Sequence, residues 1–161
     1  MRMIQGVTAL LASALAVPLP AAERNSSWER LQSLVGEWEG REAGRPARVS
    51  YRLVSSGMAL METMEAPDAT EMVTVYHPDG DAVAMTHYCS TGHPARMRAS
   101  APQASRMDFA YVDAANVRSP ADHRMTRLVL TFPGTDRLVQ EWTSRADGKE
   151  QVGRFEFTRK R

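Results

Sequence analysis

From residue 47 onward, hydrophobic and polar positions alternate. Ala47, Val49, Tyr51 and Leu53 interleave with Arg48, Ser50 and Arg52, the two-residue period of a strand with one face buried. The same pattern returns at 58–65, 71–77, 82–89, 95–100, 105–112, 125–132, 137–144 and 150–159, and Trp38 opens a further strand. Between these runs stand turn formers: Ser56-Gly57, His77-Pro78-Asp79-Gly80, Ser90-Thr91-Gly92, Pro133-Gly134-Thr135-Asp136 and Ala146-Asp147-Gly148. Links this short join antiparallel neighbours, so the strands follow one another as a meander. A sheet of about ten strands curls or splits to bury its faces, and an up-and-down antiparallel β-barrel is the economical closure. A two-sheet sandwich needs long crossing connections, and only 113–123 is long enough to be one. That segment carries few large apolar residues and reads as a mobile surface loop over one end of the barrel, either an inert hairpin tip or a lid.

Ahead of the strands the period is helical. In Ser26-x-x-Glu29, Ser26 accepts from the amide of Glu29 while the Glu29 carboxylate returns to the amide of Ser26. Trp28, Leu31, Leu34 and Val35 then form one apolar stripe, and Gly36 is placed to end the helix. One short N-terminal helix and an all-β barrel thus make up a single domain over 23–161. Residues 1–22 differ in kind. Met1-Arg2-Met3 gives a positive start, 7–17 is apolar apart from Thr8 and Ser13, and Pro18-Leu19-Pro20-Ala21-Ala22 closes the run with small residues. That is the layout of a secretory signal peptide, cleaved after Ala21 or Ala22. The apolar run is short of the roughly 20 residues of a spanning helix, so no membrane insertion is expected after cleavage. The mature protein is expected to be periplasmic or secreted.

Charge narrows the partners. Lys and Arg number 20 against 19 Asp and Glu, and removing 1–22 takes away Arg2 and no acid, which leaves the two signs balanced. Such a surface is no polyanion site, so nucleic acid is not an expected partner. Cys89 is the single cysteine, so stability must come from the core without an internal disulfide.

Gly36-Glu37-Trp38-Glu39-Gly40 resembles the Gly-x-Trp opening of lipocalin-like barrels and, more closely, the Gly-x-Trp-x-Gly of nitrobindin-like ones. In the lipocalin fold this Trp packs across the closed base under an Arg of the last strand. Phe155 and Phe157 put Arg159 on the matching face, so the resemblance implies a cation–π contact between Arg159 and Trp38. Three further stretches resemble an uncharacterised group of secreted bacterial lipocalin-like proteins: Glu71-Met72-Val73-Thr74-Val75-Tyr76-His77, then Thr86-His87-Tyr88-Cys89 with Arg96-Met97-Arg98, and Leu128-Val129-Leu130-Thr131-Phe132 with Glu141-Trp142-Thr143. The chain departs from that pattern at His93-Pro94-Ala95, where relatives tend to read Asn-Gln-Pro, and at Arg124-Met125-Thr126, where they tend to read His-Met-His. A metal or haem role resting on those histidines is therefore not implied here, and the group has no settled function to lend.

Candidate chemistry gathers on a few strands. Val83, Met85, His87 and Cys89 share one face; if that face is interior, His87 and Cys89 point into the barrel roughly 7 Å apart. On another strand Met58, Leu60 and Met64 alternate inward with Glu62 among them. A carboxylate on an apolar face has a raised pKa unless partnered, and an imidazole is a natural partner. Glu62, His87 and Cys89, with His93 or Arg96, hold the ingredients of nucleophilic catalysis. The other reading is a hydrogen-bonded core cluster with an inert buried thiol. Every methionine after residue 22 lies between Met58 and Met125, either filling gaps in the core or lining a ligand cavity. The expected ligand contacts are Glu62, Met64, Met85, His87, Cys89, His93, Arg96, Met97 and Trp142. Arg96, Arg98 and Arg106 alternate with apolar residues and read as a solvated face or a basic rim. Phosphate-loop, His-Glu-x-x-His, Gly-x-Ser-x-Gly and paired-cysteine zinc motifs do not occur, and no metal or cofactor is expected. The function implied is a binding protein for a small apolar molecule. The alternatives are an enzyme using Glu62, His87 and Cys89, and a haem barrel, which would need an axial ligand in a late strand although no His follows His123.

Overall fold

The computed structural model describes residues 26–66, 70–99 and 105–161, and the leader read at 1–22 lies outside the described residues. Helix α1 (Ser26–Gln32) is followed by β1 (Gly36–Glu42), β2 (Arg45–Val54), β3 (Ala59–Glu65), β4 (Met72–Asp79) and β5 (Ala82–Tyr88). Then come β6 (Ala95–Ala99), β7 (Arg106–Ala114), β8 (Arg124–Gly134), β9 (Arg137–Ala146) and β10 (Lys149–Arg159). Each strand pairs antiparallel with its neighbours in sequence, and β1 pairs with β10, so the ten strands close into a barrel. Closure leaves no sheet edge unpaired. The order is the simple meander that the short links dictate.

Closure depends on a close approach at Gly40. A Cβ there would stand 2.0 Å from the Glu156 carbonyl oxygen and 2.7 Å from Phe157 Cδ1, so only glycine lets β10 lay Phe157 across β1. Trp38, two residues earlier, turns into the base of the barrel, where its indole N–H donates to the Leu34 carbonyl at 2.8 Å. Arg159 is the register partner of Trp38, and its guanidinium lies 4.2 Å from the indole centroid. The same group donates to the carbonyls of Ser33 at 2.7 Å and Val35 at 2.8 Å, satisfying acceptors left over where α1 ends. The base is thereby sealed.

Three local expectations are corrected. The helix ends at Gln32 rather than at Gly36, and Gly36, at φ of +128°, opens β1 instead. Leu53 and Met58 are exposed, because β2 leaves the core face before the 3-10 turn Ser55–Gly57 and β3 begins only at Ala59. The segment 113–123 is tied down: the Ala115 amide donates to the Pro94 carbonyl, Asn116 Nδ2 to the Gly92 carbonyl, and the Asp147 amide to the Ala121 carbonyl. These bonds hold it to the hairpins on either side.

Candidate ligand-binding site

Halfway up the barrel the inward face turns polar. Glu62 on β3, Thr74 and Tyr76 on β4, His87 on β5, Tyr51 on β2 and Gln140 on β9 are all buried. Register brings them together, since Thr74 is the pairing partner of Glu62 on one side and of His87 on the other. Glu62 accepts from Tyr76 Oη at 2.8 Å, Gln140 Nε2 at 3.2 Å and Thr74 Oγ1 at 3.4 Å. Gln140 Nε2 donates to Tyr51 Oη at 2.6 Å, and the Trp142 indole N–H donates to Gln140 Oε1 at 2.7 Å. The expected partnership of Glu62 and His87 is therefore indirect. Thr74 Oγ1 bridges them, 2.9 Å from His87 Nδ1.

Electrostatics follow from depth. Burial pushes the Glu62 carboxyl up, while its hydrogen-bonding neighbours pull the other way. Burial also holds the hydroxyls of Tyr51 and Tyr76 well above their usual value, so both stay neutral donors. The His87 imidazole is pushed down to about 4 by burial and is neutral at physiological pH.

Above this belt the barrel opens. At the end opposite α1 lies a cavity of about 350 Å³. Trp142, Phe155, Met72 and Met125 give it apolar walls, and His87, Cys89, His123 and Ser144 add polar groups. His87 sits at the junction of belt and cavity, its ring 4.2 Å from the six- and five-membered ring system of Trp142 and tilted by 37°. Its Nδ1 is bonded to Thr74, but its Nε2, fully buried, has no partner. A buried ring nitrogen without a partner costs about 1–3 kcal/mol.

Of the residues singled out from sequence, Glu62, His87, Cys89 and Trp142 belong to the belt or the cavity. Met64, Met85 and Met97 do not line the cavity. Each is 1% exposed and packed in the core: Met85 and Met97 pair with each other below His87, and Met64 is covered although it pairs with Met72 of the cavity wall. His93 lies outside it, with its Nδ1 against the Ala115 carbonyl at 3.3 Å. Arg96 is on the outer wall paired with Asp113, and Arg98 and Arg106 likewise face Asp79 and Asp108 there. Cys89 is half-buried and its Sγ lies 3.3 Å from Thr91 Oγ1, so no bond joins it to His87. Missed from sequence were Tyr51, Thr74, Tyr76 and Gln140 in the belt and Phe155 in the cavity wall, while Met72 and Met125, read as core or cavity lining, line the cavity.

A larger concavity of about 770 Å³ runs along the outside of β1, β2, β9 and β10. Its walls are outward side chains such as Arg41, Arg48 and Arg154, and Arg154 is paired with Glu141 and Glu156, so it is a solvated furrow. Among the described residues, no three of His, Cys, Asp and Glu gather as a metal centre.

No family model and no curated protein matches the chain. Among solved structures, it is similar to one described as EF1p2_mFAP2b bound to DFHBI, at 12% identity, over 84% of this chain and 100% of that one, with a TM-score of 0.35.

Proposed function

We propose that the protein is a binding module that takes one small, mainly apolar molecule into the cavity above His87, and that it works in the periplasm or outside the cell. The observation that carries the reading is the aromatic- and methionine-walled cavity itself, which the buried His87 lines from the side of the polar belt. A few convergent polar groups in an apolar pocket are the usual make-up of a small-molecule site. At about 350 Å³ the cavity lies at the small end of ligand sites and suits one or two rings. A haem does not fit that space, so the haem reading draws no support from the cavity. The catalytic reading lacks a contact between thiol and imidazole, since Cys89 is bonded to Thr91. Secretion is supported by the leader-like composition of 1–22, and membership of the secreted lipocalin-like group by its motifs and by the Arg159–Trp38 contact.

One experiment addresses both parts. The protein is purified from the periplasmic or extracellular fraction of its own source and weighed under native conditions. The expected result is a chain starting near Glu23 that carries a co-purifying small molecule, which is lost in His87→Ala and Trp142→Ala. A chain that retains Met1 overturns secretion; an empty cavity in every preparation, with no apolar molecule binding afterwards, overturns the binding role.

A further inference from the structure

The strands that wall the cavity set one carboxylate into it. On β1, Trp38, Gly40 and Glu42 fall on one face, so the strand that seals the base with Trp38 brings Glu42 inward at the open end. Glu42 is the register partner of Phe155, and Gly153, on the same face of β10, is the register partner of Trp142. A Cβ on Gly153 would stand 3.2 Å from Glu42 Oε1 and 3.7 Å from Phe155 Cε2. The bare backbone of Gly153 therefore leaves the room in which the carboxylate lies beside Phe155. The Glu42 side chain is 24% exposed, and its Oε2 meets Arg45 Nη2 at 3.5 Å, a long pair on the rim whose arginine is half-exposed and which contributes little. Among the described residues no Arg or Lys lines the cavity, although the chain holds 20 of them. Arg96, Arg98, Arg106 and Arg154 face acids on the outer wall instead. His87, on the belt side, is neutral at physiological pH.

Resting on the binding role proposed above, we infer that the ligand is a small organic cation, a protonated amine on an apolar body, held by the carboxylate of Glu42 and the aromatic walls Trp142 and Phe155. A cation that leaves water needs an opposite charge and hydrogen-bond acceptors where it arrives, and Glu42 supplies both. Aromatic rings add an attraction that favours a cation over a neutral group of the same shape. An anion meets the opposite situation, since its charge would face the Glu42 carboxylate with no Arg or Lys of the wall to offset it. A neutral molecule would strip water from Glu42 and give nothing back. The apolar body of the amine fills the space between Met72 and Met125, which carry no charge. Glu42 thus sets which apolar molecules the cavity prefers, and Gly153 sets where Glu42 lies.

The test uses three probes of closely similar shape on the whole protein: 1-naphthylmethylamine, 1-naphthylmethanol and 1-naphthoate. Affinities come from titration calorimetry at about pH 8, where an ordinary histidine is neutral and the amine is still protonated. The amine should bind about tenfold or more tighter than the alcohol, and the carboxylate should bind weakest. Added salt should weaken the amine and spare the alcohol, because only the amine is held by charge. Glu42→Gln keeps the shape of the side chain and removes its charge, so the amine-to-alcohol ratio should fall towards one while the alcohol binds as before. Gly153→Ala should lower the same ratio, because the added methyl crowds Oε1. The ratio is taken within each variant, so a small change in folded fraction cancels. Equal binding of amine and alcohol, tightest binding of the carboxylate, or an unchanged ratio in Glu42→Gln each overturns the inference while leaving a binding role standing. Failure of all three probes to bind counts against the binding role, and the inference falls with it.

Discussion

Acid should weaken this protein through His87. The His87 imidazole is pushed down to about 4 in the fold, against 6.5 for an unperturbed histidine, because it is buried. Between those values the unfolded chain binds a proton that the folded one does not, so stability rises with pH across the window. The sign follows from the depressed value: the contribution is fully present above pH 6.5 and is lost as pH falls towards 4. At 1.36 kcal/mol per unit the loss amounts to about 3 kcal/mol, a large part of the stability of a small domain. Glu62 pulls the opposite way, since burial raises its carboxyl and ionising it weakens the fold as pH rises. The comparison is therefore made against His87→Gln, which keeps Glu62 in place and leaves an amide to face Thr74. Urea unfolding of both proteins, followed by tryptophan fluorescence from about pH 7 to pH 4, gives the difference directly. Wild type should lose about 3 kcal/mol relative to the variant over that range. Parallel curves would refute the reasoning, because a histidine that titrates normally cannot be the dry, unpartnered ring described here.

Other expectations are quicker to state. Gly40→Ala should cost more than about 4 kcal/mol or yield no soluble protein, because the added methyl meets the Glu156 carbonyl, whereas Gly44→Ala, with nothing within 4 Å, should cost about 1–2 kcal/mol; similar melting temperatures would refute the account of closure. Glu62→Ala and His87→Ala should each cost about 1–3 kcal/mol and couple by more than about 0.5 kcal/mol in a double-mutant cycle, with Thr74→Val abolishing the coupling; additive losses would break the bridge through Thr74. Cys89→Ser should leave ligand affinity unchanged, since a serine keeps the bond to Thr91, and a large loss of affinity or of any turnover would revive the thiol reading.

The alternation of residue types revealed which face of each strand is buried, and that is why Glu62 and His87 were legible as interior residues. It carries no information on height. Met85 and Met97 face inward as firmly as His87, but they lie one step further down the barrel in the packed core while His87 reaches the cavity. Height comes from the stagger between neighbouring strands, a property of the closed barrel and not of any one segment. Gln140 was the readable omission. It stands between Leu138 and Trp142 on a buried face, and a glutamine there announces a hydrogen-bond partner across the interior. Thr74 was not readable, because its importance comes from facing Glu62 on one strand and His87 on another.

A belt of this kind is a poor way to stabilise a barrel. Buried polar side chains lose their water, and the net gain from their mutual bonds is about 1 kcal/mol each, so a well-packed apolar layer serves stability at least as well. The floor below the belt, built from Trp38, Leu60, Phe109 and Leu128, shows that this chain packs such a layer where packing is all that is required. Among the side-chain nitrogens and oxygens of the belt, Nε2 of His87 is the one buried atom without a hydrogen-bond partner. A network complete in every bond but one holds the remaining group in a single orientation, because turning the imidazole over would break its bond to Thr74 and disturb the chain behind it. The belt thus gives up stability to hold the His87 ring in one place beside the cavity.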